Sequence, residues 1–206
     1  MVLTGSDPAF CAGLDLRMLA AEPDRLLTGG QVGSVSPFPE RTKPLIGAVN
    51  GAAITGGFEL ALNCDFLIAS ERAVFADTHA RVGVMPGWGL TPLLTDAVGR
   101  TRAREISLTG NFVSAEQALQ WGLVNRVVPH DQLLTIVLGL ASDIVGNDQL
   151  GVRRMLATYS EQEEASLNPA WQLETGASRA FASLTTPGAD VTNRRQAIIE
   201  RGRSQL

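Results

Sequence analysis

Glu59 is the residue of this chain whose position most clearly suggests chemistry. It ends the stretch Asn50-Gly-Ala-Ala-Ile-Thr-Gly-Gly-Phe-Glu59. Gly56 and Gly57 let the backbone bend sharply and approach a ligand closely, and the apolar residues that follow have helical spacing. We therefore expect a glycine turn that opens a helix, with Glu59 in the first helical turn. Free backbone N–H groups and the positive end of the helix dipole meet there, and such a place stabilises the negative oxygen of a phosphate or an enolate.

Glu59 and His79 each allow a structural as well as a catalytic interpretation. The dipole alone favours a carboxylate in the first turn of a helix, although the two glycines and the apolar surroundings of Glu59 favour a role in proton transfer. A loop histidine such as His79 serves in a structural hydrogen bond at least as often as in catalysis. Asp77 is typical of a turn or cap, but it stands two residues before His79 and could share a face with it.

Three other classes of site are not supported. Gly51 and Gly56 have the glycine spacing of a phosphate-binding loop, but Gly57 and Phe58 stand where that motif needs a lysine and a hydroxyl. The chain has no G-x-S-x-G sequence, which argues against a serine hydrolase. Its two histidines have no companion ligands at zinc spacing, so we expect no metal site.

The composition predicts one globular unit rather than a disordered, membrane or nucleic-acid-binding chain. Of the 206 residues, 45% are hydrophobic and 18% charged, with a net charge of −4, which argues against a broad nucleic-acid surface. The longest uncharged stretch, residues 44–58, is shorter than the roughly 20 apolar residues of a membrane span. No signal peptide is recognised, and the two cysteines lack a framework spacing. We expect free thiols in a reducing compartment and a cytoplasmic protein.

The hydrophobic pattern predicts strands that alternate with helices early in the chain and helices alone later. We expect strands at residues 2–4, 44–49, 66–69, 73–75 and 124–128. Residues 9–16, 28–43 and 77–83 are predicted as loops, the first of them entering a helix at 16–21. Ser114 to Gln117 has a capping-box pattern that starts a helix. From residue 131 the pattern is helical, with breaks near residues 146–147, 168–169 and 187–188. This order predicts an α/β domain with a helical C-terminal part.

Two separated stretches together resemble the crotonase family, the enoyl-CoA hydratases and isomerases. They are Ala9-Phe-Cys-Ala-Gly-Leu-Asp-Leu16 and Lys43-Pro-Leu-Ile-Gly-Ala-Val-Asn-Gly-Ala-Ala-Ile-Thr-Gly-Gly-Phe-Glu-Leu-Ala-Leu-Asn-Cys-Asp65. The similarity continues in order through residues 75–78, 83–87, 108–110 and 115–128, so it covers essentially the whole chain. The family usually has a further β-rich N-terminal segment, and we therefore expect that such a segment is missing here.

The resemblance implies a fold, an assembly and a ligand. The fold is a spiral of ββα units, here residues 1–130 and N-terminally incomplete, followed by a helical region, residues 131–206, that the family uses to form trimers. A homotrimer or a dimer of trimers is therefore expected, without nucleic acid or membrane partners. The ligand is an acyl-CoA thioester. No separate cofactor is implied, because coenzyme A is part of the substrate.

The resemblance also implies roles for individual residues. The backbone N–H groups of Leu14 and Gly56 match the oxyanion hole for the thioester carbonyl. Glu59 matches the first of two glutamates that manage the water, whereas His79 stands where the second is expected, which is a departure from the pattern. Trp88 would narrow or reshape the acyl pocket. The implied substrate-binding residues are Ala12, Gly13, Asp15, Leu16, Arg17, Gly57 and Trp88.

The activity implied is that of an enoyl-CoA hydratase-type lyase in fatty-acid or related acyl-CoA metabolism. Two alternatives stay open, because the second glutamate is absent. One is a double-bond isomerase or other enolate chemistry that needs one base, and the other is a non-catalytic acyl-CoA-binding paralogue. Self-association is further suggested by apolar positions of the C-terminal helices that a small domain would not cover. These positions are Leu167, Trp171, Leu173, Phe181, Ile198 and Ile199.

Overall fold

The strands form two four-stranded sheets. The computed structural model describes residues 1–15, 36–184 and 187–205. In the first sheet, all strands are parallel and the order is β1 (Val2–Thr4), β3 (Ile46–Val49), β5 (Phe66–Ser70) and β8 (Arg126–Val128). In the second, the order is β2 (Ala9–Cys11), β4 (Ala52–Ile54), β6 (Val74–Ala76) and β7 (Val113–Ser114), and only β7 is antiparallel to its neighbour.

Helices follow the strand pairs and then dominate the chain. They are α1 (Gly56–Leu62), α2 (His79–Val82), α3 (Leu90–Val98), α4 (Arg100–Thr109), α5 (Ala115–Gln120), α6 (Leu133–Gly146), α7 (Gln149–Leu184) and α8 (Pro187–Arg203), with a 3₁₀ turn at His130–Gln132. Consecutive strands enter different sheets before each helix: β3 and β4 precede α1, and β5 and β6 precede α2. This repeat confirms the predicted α/β class and its ββα units.

The parallel sheet is buried on both faces, which explains its continuous apolar strands. Along β3 and β5, Ile46, Ala48 and Ile68 face α6, where they pack against Leu133 and Val137. The residues between them face the other way, into a larger core. That core includes Val49, Leu67, Ala69, Phe58, Phe75, Leu90 and Leu94. The period of two therefore assigns each strand residue to one of two hydrophobic layers.

Two short strands and one short helix differ from the sequence prediction. Residues 9–11 and 52–54, predicted within a loop and a turn, form β2 and β4, and part of the predicted loop 77–83 is α2. Three-residue strands are too short for an alternating pattern to reveal them. Their backbone bonds come from neighbours far along the chain, since β4 pairs with both β2 and β6.

The C-terminal helices are more continuous than predicted. The break near residue 146 is present between α6 and α7, but α7 continues through Pro169. Proline removes one helical hydrogen bond, at a cost of about 3 kcal/mol in a helix interior, and Trp171 and Glu174, which follow it, contact Gly89 at the start of α3. The capping box of α5 is confirmed, because the Ser114 hydroxyl accepts from the Gln117 N–H and the Gln117 side chain accepts from the Ser114 N–H.

Only part of the apolar surface predicted on the C-terminal helices is exposed. Of the six positions named, Leu173 is exposed, while Trp171 packs against Gly89 and Ile198 packs near Val82. Large apolar side chains are nevertheless exposed along α6 and α7 where the sequence did not point to them. They are Leu134, Leu138, Val145, Leu150, Met155, Tyr159 and Leu184.

No single helix in the described part of the chain is long and apolar enough to cross a membrane. One bent pair, His130–Gly146 with Gln149–Ala182, meets the criterion of length and composition when the two helices are taken together, with 108° between them.

We predict that Gly57→Ala destabilises the fold. A Cβ atom at residue 57 would lie 1.9 Å from the carbonyl oxygen of Cys11, and backbone atoms cannot rotate away as a side chain would. We expect the free energy of unfolding to fall by at least about 3 kcal/mol, at the upper end of overpacking effects. Urea denaturation followed by circular dichroism measures it.

Gly139→Ala is the matched control, because nothing lies within 4 Å of a Cβ atom at this exposed position of α6. The alanine should raise the stability by up to about 1 kcal/mol through helix propensity alone. Equal effects of the two substitutions would contradict the predicted contact between Gly57 and β2.

Candidate active site

Glu59 lies in the first turn of α1 with only 3% of its surface exposed. Its Oε1 atom accepts hydrogen bonds from the backbone N–H groups of Gly87 at 3.0 Å and Trp88 at 2.8 Å. These two residues belong to the turn before α3. One carboxylate oxygen is therefore fixed by the backbone, and Oε2 is the oxygen that faces His79.

His79 lies between two carboxylates. Its Nε2 is 3.5 Å from Oε2 of Glu59, and its Nδ1 is 2.6 Å from Oδ1 of Asp77. The same Asp77 oxygen accepts the backbone N–H of His79 at 3.1 Å. Asp77 is thus both the turn residue and the histidine partner that its type and spacing allowed. All three side chains are buried, with 3% to 6% of each residue exposed.

The cluster favours a protonated imidazole. Burial opposes the charge on His79, but hydrogen bonds to Asp77 and then Glu59, together with the attraction of both negative charges, outweigh it and raise the pKa of His79 from 6.5 to about 9. Burial likewise opposes ionisation of Asp77, and the bond to His79 overcomes this, so the pKa of Asp77 is lowered. At neutral pH an imidazolium therefore stands beside Glu59, with Asp77 holding its Nδ1–H.

The two loops that carry Leu14 and Gly56 interlock through glycines. Gly13 has a φ of +86°, and a Cβ atom there would lie 2.9 Å from the carbonyl oxygen of Ile54 and 3.7 Å from the Gly56 nitrogen. In the opposite direction, Gly57 lies against the Cys11 carbonyl. Backbone thus packs on backbone, which side chains at these positions would prevent. The loop that carries Leu14 thus lies against the start of α1 at Gly56, and neither of these two N–H groups has an acceptor among the described residues.

Thr55 has a strained backbone at the entrance to α1. Its φ of 55° and ψ of −114° are rare for a residue with a branched side chain. Its hydroxyl makes no cap bond to the helix and instead shares a hydrogen bond with the Thr78 hydroxyl. Its N–H donates to Ala76 in β6 at 2.8 Å. These contacts hold the strained residue, and the helix entry after it stays uncapped.

Trp88 borders the same place. Its Cζ3 atom lies 3.7 Å from the position of a Cβ atom on Gly56, and its carbonyl accepts from the Asn63 side chain at 2.8 Å. The indole is partly exposed. Trp88 therefore contacts both parts of the candidate site. Its backbone N–H donates to the Glu59 carboxylate, and its ring lies beside the Gly56 loop.

A largely apolar cavity of about 170 Å³ adjoins these loops. It is bounded by the loop of Ala12 and Leu14, by the end of β4 at Ile54 and Thr55, by α2 and by α8. Neither Glu59 nor His79 lines it, so the cavity adjoins the loops of Leu14 and Thr55 without containing the buried carboxylate–histidine cluster.

The remaining predicted positions lie partly outside the described residues. Ala12 and Asp15 are exposed in the loop that follows β2. Leu16 and Arg17, the predicted helix at 16–21 and the first half of the predicted irregular segment 28–43 fall on residues that the structure does not describe. Gly57 lies at the contact between the two loops, against the Cys11 carbonyl.

No group of three metal-ligating side chains is found within residues 1–15, 36–184 and 187–205. His130 contacts Asp7 at 3.1 Å through Nε2 and Ser70 at 3.0 Å through Nδ1. The order of residue types is that of a hydrolytic triad, but Ser70 is completely buried and its hydroxyl accepts the Arg72 N–H. This group therefore joins β5 and the chain after β8 to the N-terminal segment rather than forming a second site.

Two features of the site have no signal in the sequence. The N–H groups of Gly87 and Trp88 had no sequence signal beyond their turn composition. Glu174, a buried carboxylate of α7, accepts from the Gly89 N–H, the Thr91 N–H and the Thr91 hydroxyl at 2.6–2.7 Å. It is 85 residues from Gly89, and no spacing rule links positions so far apart.

Comparison with known proteins places these observations in a family. Residues 1–202 match the family model described as enoyl-CoA hydratase/isomerase. The crystal structure of an enoyl-CoA hydratase from Mycobacterium avium has a TM-score of 0.80 and 50% identity, over 88% of this chain and 76% of that one.

Two curated relatives give the same result. The probable enoyl-CoA hydratase 1, peroxisomal, of Arabidopsis thaliana is 38% identical over 90% of this chain and 70% of its own length. The mevalonyl-coenzyme A hydratase sidH of Aspergillus fumigatus is 41% identical over 74% of this chain and 57% of its own length. The chain thus spans 57% to 70% of the length of these two relatives. The fold, the family model and the relatives agree that this chain belongs to the enoyl-CoA hydratase/isomerase family.

Proposed function

We propose that this chain is an enoyl-CoA hydratase-type lyase that adds water to the α,β double bond of a 2-enoyl-CoA thioester. The observation that carries the proposal is the buried Glu59 carboxylate, fixed through Oε1 by two backbone N–H groups, with Oε2 facing the His79 imidazolium. A carboxylate so placed can take a proton, and the imidazolium beside it can give one. The names of the relatives support this substrate class.

In the proposed reaction, Oε2 of Glu59 takes a proton from water while the water oxygen bonds to the β-carbon. The electron pair of the double bond moves toward the thioester oxygen and forms an enolate. The N–H groups of Leu14 and Gly56 hold this oxygen, since both lack another acceptor among the described residues. His79 then gives its Nε2 proton to the α-carbon, which completes the addition.

The same pair restores itself after each turnover. Glu59 is then neutral and His79 is neutral, and the proton returns from Oε2 to Nε2 across 3.5 Å. Asp77 keeps the Nδ1–H in place throughout, so the imidazole always presents Nε2 to Glu59. The histidine thus supplies the acid that a second glutamate supplies in the family pattern. No cofactor takes part in this sequence, because coenzyme A belongs to the substrate.

The acyl and coenzyme A portions have candidate neighbours. The Trp88 ring beside Gly56 would limit the space for the acyl group next to the thioester. The segment Ala12 to Arg17, with Gly13, Asp15 and Leu16, would lie along coenzyme A, and Gly57 would keep it in place through Cys11. The apolar cavity beside Leu14 offers further room for the ligand.

Glu59→Gln is predicted to lower kcat by about 10²–10⁴-fold, the usual contribution of general acid–base catalysis. Glutamine keeps the size and can still accept the Gly87 and Trp88 N–H bonds, so the KM for the acyl-CoA should change little. The measurement is hydration of crotonyl-CoA with the product identified. Exposed Glu71→Gln is the control. Wild-type turnover in Glu59→Gln would refute the mechanism.

The product also separates the alternative functions. A shifted double bond without uptake of water would identify an isomerase, which needs only one base. Binding of acyl-CoA without turnover would identify a non-catalytic paralogue.

The activity of the wild type is predicted to decline as pH rises through about 9. The raised pKa of His79 keeps the imidazolium acid present below that value and removes it above. His79→Gln should lower kcat by about 10²–10⁴-fold and abolish this alkaline limb. The profile of kcat against pH measures both effects.

His130→Gln serves as the control for the pH profile, because this second histidine contacts Asp7 and Ser70 instead. It should leave the alkaline limb unchanged. An unchanged limb in His79→Gln would show that another group titrates, and His79 would then have a structural role only.

We further propose that residues 131–206 mediate assembly into a trimer or a dimer of trimers, with residues 1–130 as the catalytic core. The exposed apolar side chains of α6 and α7 support this, since monomers rarely leave such stretches uncovered. Light scattering at micromolar concentration should give three or six times the 21.9 kDa of the chain. Leu138→Lys on α6 should reduce that mass, whereas Leu108→Lys on α4 should not. A wild-type monomer would contradict the proposal.

A further inference from the structure

Glu174 is a buried carboxylate for which the proposed reaction has no direct use. It lies on α7, is 5% exposed and accepts three hydrogen bonds, from the Gly89 N–H at 2.7 Å and from the N–H and hydroxyl of Thr91 at 2.6 Å each. Burial raises its pKa, the bonds from Thr91 and Gly89 oppose the rise, and the charge of Glu59 adds to it. A buried carboxylate is costly unless its bonds are specific, so its presence calls for a reason.

Glu59 and Glu174 accept hydrogen bonds from different donors of the same turn. Gly87 and Trp88 donate their N–H groups to Glu59, and the next donors along the chain, Gly89 and Thr91, donate to Glu174. Successive peptide groups share atoms, so the direction of one N–H restricts the direction of the next. Holding residues 89–91 therefore restricts where the Gly87 and Trp88 N–H groups point.

Helix α7 contacts this turn with a whole face and not with Glu174 alone. The Trp171 ring lies against Gly89, with Nε1 2.9 Å from the position of a Cβ atom there, and Ser178 Oγ lies 3.8 Å from the corresponding position on Gly87. Residues 171, 174 and 178 are spaced at three and four, so they lie on one side of the helix. Gly89 has a φ of +83° and admits the indole because it has no side chain.

We propose that Glu174 is a positioning residue that sets the geometry of Glu59 by holding the Gly87–Thr91 turn. The C-terminal helix α7 thereby aligns Oε2 of Glu59 with the reacting water. This inference rests on the proposed function in that Glu59 is the base. It also gives α7 an indirect role in catalysis, through Glu59, beyond any role in assembly.

The test is a double-mutant cycle of Glu174→Gln and Glu59→Gln. The glutamine amide nitrogen cannot accept the Thr91 donors, so the turn should shift. A misplacement of about 1 Å can cost about 10²-fold in rate, and we expect kcat of Glu174→Gln to fall by about 10- to 100-fold with KM within about twofold of wild type. If Glu174 acts through Glu59, the double variant should be no slower than Glu59→Gln alone.

Two further variants keep the test informative. Thr91→Val removes only the hydroxyl donor and should give a smaller fall in kcat, which covers the case in which Glu174→Gln does not fold. Glu164→Gln, an exposed carboxylate on the same helix, should leave kcat and the melting temperature unchanged. Additive losses in the double variant, or a loss of melting temperature with unchanged kcat in the folded fraction, would overturn the positioning role.

Amide hydrogen exchange provides a readout that does not depend on turnover. In Glu174→Gln the Gly87 and Trp88 amides should exchange faster than in wild type, since their bonds to Glu59 are weakened. Unchanged protection would overturn the inference even if the enzyme is active. A wild type without hydratase activity but with this change in protection would refute the proposed function and still support the positioning of Glu59 by Glu174.

Discussion

The buried chain of charges from Asp77 through His79 to Glu59 is the interaction on which the site depends. An isolated carboxylate in this interior would be strongly disfavoured, and two would repel each other. The imidazolium between them offsets one of the two negative charges, and the backbone N–H groups of Gly87 and Trp88 satisfy Oε1 of Glu59. The partners come from three segments, namely α1, the passage from β6 into α2 that carries both Asp77 and His79, and the turn before α3. The charges are therefore compatible with burial only when these elements are assembled, which couples the site to the fold.

The alternation of strands between two sheets is what assembles them. Each ββα unit places a helix start at the end of a strand of the second sheet, so α1 and α2 begin beside each other where β4 and β6 end. Close approach of the loops then depends on glycine, since Gly57 lies against the Cys11 carbonyl and Gly13 against that of Ile54. Thr55 carries backbone strain of the kind that costs about 1–3 kcal/mol, and its bonds to Ala76 and Thr78 hold it. Packing of the scaffold thus stabilises an uncapped helix entry.

Sequence patterns were sufficient for the features whose causes are local. The glycine pair before Glu59, the apolar strand before it and the capping box at Ser114 each predicted an element that is present. The three-residue strands β2 and β4 were missed because their pairing partners are remote. Pro169 predicts a break that is not present, because propensity rules do not include the contacts that α7 makes. The hydrogen bond between residues 89 and 174 cannot be predicted from the sequence for the same reason, since it is determined by tertiary packing. Resemblance to the family supplied the positions of Leu14 and Gly56, which composition alone does not identify.

Histidine at position 79 changes which groups of the site hold a proton, while the fold around them stays the same. Two glutamates at this distance would compete for ionisation, so that one of them must hold a proton for the pair to serve as base and acid. In the proposed reaction, His79 separates the two roles chemically: the Glu59 carboxylate is the base, and the imidazole, with a pKa raised to about 9, keeps its proton across the physiological range. Asp77 contributes to this difference, because its negative charge and its Oδ1 atom, which accepts the Nδ1–H hydrogen bond, stabilise the imidazolium. In this proposal, a histidine at position 79 depends on the neighbouring carboxylate of Asp77. Positions 77 and 79 must therefore be considered as one unit.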